Sequence, residues 1–144
     1  MSQKIIVGYD GGASSKRALA FAVKEAKQHG GSVVLAHVLE WSPYAFLTAT
    51  ELEERHKRRN EELERANSAL VEPVKASYAD QGVTIEAEVR YGHIVKTLCT
   101  IAEEHKSEQI VIGRRGDSGM SAMLFGSVAG SLAQVSPVAV TIVP

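Results

Sequence analysis

Lys4-Ile5-Ile6-Val7-Gly8-Tyr9-Asp10-Gly11-Gly12 decides how this chain is read. It opens on the short run Lys4–Val7, β-branched from Ile5 onward, the pattern of a strand buried on both faces of a sheet. It ends in glycines, which let a backbone come close to a ligand or to another segment. Far downstream, Gln109-Ile-Val-Ile112-Gly113-Arg114-Arg115-Gly116-Asp-Ser-Gly119 repeats the design. A third apolar run, Ser32-Val-Val-Leu-Ala-His-Val-Leu39, reads as another buried strand. Between the first and third runs, Leu19, Ala22, Val23 and Ala26 fall at helical spacing. Ser14 or Ser15 offers that helix an N-cap, and His29-Gly30-Gly31 offers a cation and a glycine stop.

Working outward, Trp41, Tyr44 and Phe46 mark an aromatic loop over 41–50, and a long helix is predicted from about 48 to 79. Its first half carries acid-first pairs four residues apart, Glu51/Arg55, Glu53/Lys57, Glu54/Arg58 and Glu61/Arg65. Each supports an exposed helix by ~0.2–0.5 kcal/mol. Leu63, Ala66, Leu70, Val74 and Ser77 form the expected docking face, and Pro73 is expected to kink or divide the helix. Residues 83–89 alternate apolar with charged, the mark of a half-exposed strand near a sheet edge. A helix follows Gly92, with Ile94, Val95, Leu98, Ile101 and Ala102 inward. Residues 114–125 read as a loop, 127–133 as a short helix and 138–143 as the last strand. Strands and helices alternate throughout, which predicts an α/β, doubly wound domain with a five-stranded parallel sheet and right-handed crossovers. The continuous apolar runs belong in the centre, giving the order 3-2-1-4-5. Strands 1 and 4 then flank the topological switch point, where ligands bind beyond the strand carboxyl ends.

The 144 residues are expected to form one domain, 1–144. Sixteen basic and seventeen acidic residues give a net charge of −1, less basic than a nucleic-acid binder that works by counterion release. One cysteine excludes an internal disulfide framework or a cysteine zinc cage. The opening residues lack a signal-peptide pattern and no stretch reaches the length of a membrane span. The expected setting is therefore the cytoplasm, without membrane insertion.

The chemistry concentrates at the switch point. Gly113, two residues, Gly116, nine residues, then Gly126-Ser127 opens the short helix. The first N–H groups of a helix lack internal partners, and its dipole places about +0.5 charge there. Such an end is an anion site, most naturally for phosphate. Gly126 lacks the Cβ that would block approach, Ser127 adds a hydroxyl donor, and Arg114 and Arg115 can offer charge to phosphate oxygens. Taken alone, Ser127 would be a simple N-cap. Neither common nucleotide fingerprint is present, because the chain has no Gly-Lys-Ser/Thr and Gly8-Tyr-Asp-Gly-Gly-Ala does not fit G-x-G-x-x-G.

On this spaced motif the chain resembles the universal stress protein family, in its ATP-binding subclass. The resemblance extends over the whole chain: Ile-Val-Gly-Tyr-Asp10, His37-Val38, Gly92, Leu-Phe-Gly126-Ser127-Val128 and Pro137-Val138. It implies a Rossmann-like domain of the adenine nucleotide α-hydrolase type that binds ATP, with Mg2+, at the switch point. By position it places Asp10 beside the ribose or a phosphate-bound metal. Gly8 and Tyr9 would line the nucleoside pocket, and Val38 would read adenine through its backbone. Ile112 and Gly113 would meet ribose and base, and Arg115, Gly116, Gly126, Ser127 and Val128 would hold the phosphates. The chain departs from the pattern at Asp117 beside the phosphate loop, at Gly12 where serine is common, and at Ile94 where proline is frequent.

Other features read more plainly. A receiver domain would need paired acids after strand 1 and a lysine after strand 5, and the chain has neither. His29, His37, His56, His93 and His105 show no metal spacing. His29 and His105 belong at helix C-termini. Cys99 reads as an inert thiol inside its helix. The uncharged stretch Val138-Ala-Val-Thr-Ile-Val143 falls at a sheet edge, which invites pairing. With the family resemblance it points to a homodimer through this strand. The expected function is a regulatory stress-response module that binds ATP and signals through that dimer to an unknown protein partner. The alternatives are a slow ATPase and a nucleotide-independent dimeric scaffold. Hydrolysis needs a group to position water, and none stands out, so little or no turnover is expected.

Overall fold

A computed structural model describes residues 3–40, 49–115 and 127–144. The aromatic stretch 41–46, the predicted loop 114–125 from Gly116 onward, and Gly126 lie outside the described residues. The elements run β1 (Lys4–Gly8), α1 (Ala13–His29), β2 (Ser32–Glu40), α2 (Ala49–Ala66), a π-helical turn (Asn67–Val71) and α3 (Glu72–Ser77). After a 3-10 turn (Ala79–Gln81) come β3 (Ile85–Gly92), α4 (Ile94–Glu104), β4 (Gln109–Gly113), α5 (Ser127–Val135) and β5 (Ala139–Val143).

The five strands are parallel in the order β3-β2-β1-β4-β5, as the buried runs required. Alternation along the strands sends side chains into two cores. Ile5, Val7, Val33, Leu35 and Val111 pack under α1 with Leu19, Ala22 and Val23. Ile6, Val34, Ala36, Ile110 and Ile112 pack under α4 and α5 with Leu98, Ile101 and Leu132. Complete burial of a side chain such as Ile6 or Ile110 contributes roughly 1.5–3 kcal/mol. β3 and β5 are the edges, and both are only half-buried.

Two local readings change, the cap of α1 and the docking face of the long helix, while the expected division at Pro73 holds. Gly12, not Ser14 or Ser15, is the N-cap of α1, because the Ser15 hydroxyl is engaged by Asp10 and the Gly12 carbonyl. The long helix is divided ahead of Pro73: its ring would collide with the carbonyl four residues back, and the wide turn at Asn67–Val71 makes room. That extra residue per turn moves the docking face. Val71 is fully buried and Ser77 exposed, whereas the even 3.6-residue spacing had placed Ser77 inward. Among the described residues no helix is long and apolar enough to cross a membrane.

Candidate functional site

The carboxyl ends of β1 and β4 open onto a cavity of about 240 Å³. This is just below the roughly 300–1,000 Å³ usual for small-molecule sites. Gly8 and Gly113 are part of its lining, and both are closely packed against neighbours. A Cβ on Gly8 would come within 2.9 Å of Ile112 Cγ2 and 3.3 Å of Leu98 Cδ1. A Cβ on Gly113 would sit 2.4 Å from Ser14 Oγ and 2.7 Å from the Ser14 carbonyl carbon, so β4 can reach the N-terminal turn of α1 only as glycine. Val38 from β2, Ile94 and Leu98 from α4 and Ile112 from β4 wall the cavity with apolar surface. Arg114, Arg115 and the opening of α5 at Ser127, Val128 and Ala129 close its polar end.

Main-chain and hydroxyl bonds fix that polar end. Ser14, almost fully buried, accepts the Arg115 N–H at 3.3 Å. The Arg114 N–H donates to the Val143 carbonyl at 2.8 Å, so β5 carries the segment that presents both guanidinium groups. Asp10 is held within its own turn. Its Oδ1 accepts from the Gly12 N–H and from the Ser15 hydroxyl, each at 2.8 Å. The carbonyl of Tyr9 lies 2.7 Å from His37 Nδ1; a carbonyl can only accept, so Nδ1 carries the proton. This bond clamps the ends of β1 and β2 together.

Of the residues picked from sequence, Gly8, Tyr9, Asp10, Val38, Ile112, Gly113, Arg115, Ser127 and Val128 all line this cavity. Gly116 and Gly126 lie outside the described residues. Tyr9 needs distinguishing from the others: its ring is buried with Ile5 and Val7 in the core beneath α1, leaving its main chain at the cavity. Burial, then the neighbouring Tyr78 and Asp10, pushes the Tyr9 hydroxyl above its ordinary pKa. Ala36, Ile94, Leu98, Arg114 and Ala129 complete the lining. Arg114 is the cation the sequence pairs with Arg115; the signal for Ala36, Ile94 and Leu98 is periodic, since Ala36 stands two residues from Val38 on one strand face, and Ile94 and Leu98 stand one helical turn apart. Cys99, the residue after Leu98, is half-buried, and burial followed by Glu103 raises its pKa, the setting of an inert thiol. Among the described residues no three His, Cys, Asp or Glu side chains gather into a metal cage.

Comparison with known proteins supplies the context for this geometry. The model of the universal stress protein family matches residues 1–144. A universal stress protein of Thermus aquaticus is 31% identical over 144 residues, covering 99% of both chains. A universal stress protein of Mycolicibacterium smegmatis is 28% identical, matching 89% of this chain but only 43% of its own length. Among solved structures, UspA of Lactobacillus plantarum superposes with a TM-score of 0.82 at 20% identity, over 99% of this chain and 97% of its own. A universal stress protein solved in complex with cAMP superposes with a TM-score of 0.63 at 28% identity, over 99% and 97%. A match from end to end, on the same Rossmann-like sheet, means that this chain belongs to the universal stress protein family.

Proposed function

We propose that this chain is an ATP-binding stress-response module, working in the cytoplasm as a homodimer paired through β5. The observation that carries the nucleotide reading is the shape of the cavity. It has an apolar slot between Val38, Ile94, Leu98 and Ile112, Gly8 and Gly113 in its lining, and a polar end made by Arg115 and the first turn of α5. An adenine ring suits the slot, and polyphosphate suits the cationic end. The relative solved with cAMP makes an adenine nucleotide the natural occupant. Gly116 and Gly126 join the phosphate-holding set on the spaced motif. Asp10, already oriented by Gly12 and Ser15, is assigned to the ribose hydroxyls or to the Mg2+ of Mg-ATP. When bound, Mg-ATP supplies a polyphosphate charge that rewards one arrangement of the site over others. A ligand with such differential affinity shifts the population of conformers, which is how a module without turnover can signal.

The test begins with denaturing freshly purified protein and chromatographing what is released. Adenine nucleotide is expected, and calorimetric titration of emptied protein with Mg-ATP is expected to saturate at one site per chain. Arg115→Glu should weaken Mg-ATP roughly tenfold or more while leaving adenosine binding nearly unchanged, because a charged hydrogen bond is worth ~1.5–3 kcal/mol. No released nucleotide and no heat from Mg-ATP would overturn the reading in favour of a nucleotide-independent scaffold.

A further inference from the structure

The turn that carries Asp10 has a second support, outside the cavity. Gly11 adopts φ +86°, in the left-handed region, and the place where its Cβ would stand is 2.9 Å from Leu70 Cδ1. Leu70 belongs to the π-helical turn Asn67–Val71. Here the Glu72 N–H bonds to the Asn67 carbonyl five residues back, and Val71 is locked fully into the core. On the far side of this turn α2 is tied to the sheet by Arg59 stacked 5.0 Å over the Tyr91 ring and by the Tyr91 hydroxyl donating to Glu62. Beyond Arg59, towards its N-terminal end, α2 is largely exposed. The π turn therefore sets the rotational phase between a buried anchor, Val71, and the long charged helix, while its Leu70 fills the space beside Gly11 in the loop of Asp10.

We infer that Leu70 is a positioning residue for the Asp10-Gly11-Gly12 turn, and that the π-helical turn couples occupation of the nucleotide site to the order of α2. This rests on the nucleotide reading above for its ligand, but the positioning of the turn does not. The Asp10 turn is braced on its inner side by Ser15 and on its outer side by Leu70. The Ser15 hydroxyl has one proton and two acceptors within reach, Asp10 Oδ1 at 2.8 Å and the Gly12 carbonyl at 3.0 Å. Leu70 fills the space on the other side of Gly11, so the turn is held between these bonds and that packing. Because coupling is reciprocal, a ligand that holds Asp10 must also hold Leu70, and with it the π turn. Single π turns inside α-helices are frequent at functional sites.

The experiment is residue-resolved amide hydrogen exchange on the full chain, for wild type, Leu70→Ala and the conservative Leu70→Met, with and without Mg-ATP. Without nucleotide, Leu70→Ala should speed exchange of the Gly12 N–H at least tenfold, while amides of β1 and β4 keep wild-type rates and Leu70→Met restores Gly12. Unchanged Gly12 exchange in Leu70→Ala overturns the positioning claim whatever the nucleotide does. With saturating Mg-ATP, wild type should slow exchange at 67–71 and along 49–66, and Leu70→Ala should abolish the slowing along 49–66. The Leu70→Ala affinity for Mg-ATP should fall several-fold, towards the lower part of the usual range of coupling. Mg-ATP bound with no change at 67–71 or 49–66 overturns the coupling alone. Failure of wild type to bind Mg-ATP overturns the nucleotide reading and the coupling together. If Leu70→Ala does not fold, Leu70→Val, which withdraws the Cδ atoms that face Gly11, takes its place: faster Gly12 exchange supports the positioning claim and wild-type Gly12 exchange overturns it, while wild-type slowing with Mg-ATP decides the coupling.

Discussion

Glycine does two different jobs in this chain, and they can be told apart by substitution. At Gly113 the constraint is space: an added methyl would meet the Ser14 backbone, which cannot swing away. At Gly30, which ends α1 at φ +69°, nothing lies within 4 Å and the constraint is conformation alone. Gly113→Ala should cost about 1–3 kcal/mol through overpacking, and Gly113→Asn should be worse. Gly30→Ala should cost roughly 1–2 kcal/mol, and Gly30→Asn should recover most of that, since asparagine tolerates the left-handed region. Urea midpoints of the four variants decide this; recovery by asparagine at Gly113 would mean the contact with Ser14 is not what excludes side chains there.

At the scale of elements, β3 and the C-terminal end of α4 are joined by charge. Arg90 bonds Glu88 at 3.0 Å and grips Glu104 with both terminal nitrogens, at 2.6 and 3.2 Å. His105, the C-cap of α4, bonds Glu88 at 3.1 Å, and Lys4 from β1 reaches Glu86 at 3.4 Å. Burial works against ionisation of Glu88, but the hydrogen bonds from Arg90 and His105 outweigh it and hold its carboxyl below the ordinary value of 4.5. The hydrogen bond from Arg90 likewise lowers Glu104. Both folded values lie below the unfolded ones. The network therefore stabilises the fold above the ordinary carboxylate range, and that contribution is lost as pH falls through the lowered folded values. Arg90→Ala should flatten the acid side of a stability-against-pH curve and leave a smaller dependence on salt. An acid limb as steep as wild type would show that other carboxylates drive acid unfolding.

For the whole molecule, the open question is its free edge. Among the described residues β5 pairs with β4 on one side only, and Ala139, Val140, Thr141, Ile142 and Val143 carry no charge to protect the other. With pairing to a second copy as the proposal, Thr141→Lys should convert dimer to monomer in sedimentation at tens of micromolar while the circular dichroism spectrum stays native. A wild-type chain that sediments as monomer under those conditions would remove the dimer from the account.

How much of this was legible beforehand follows from which forces are local. Continuous β-branched runs at 5–7 and 110–112 can be satisfied only by burial on both faces, so strand order and the position of the crevice were written in the residues. Gly8 and Gly113 marked the cavity, since the absence of a side chain is visible in any sequence. Other features needed the folded chain. That Tyr9 turns its ring away from the cavity depends on the parity of β1 against α1, and that Gly11 rests on Leu70 joins residues 59 positions apart. The division of the long helix could be foreseen from Pro73, but not the π turn that relieves it, because its register is fixed by Val71 entering a core built from β1, β2 and α1. Local pattern determines which faces must be buried; only three-dimensional packing, acting between segments far apart in the chain, decides what each buried face meets.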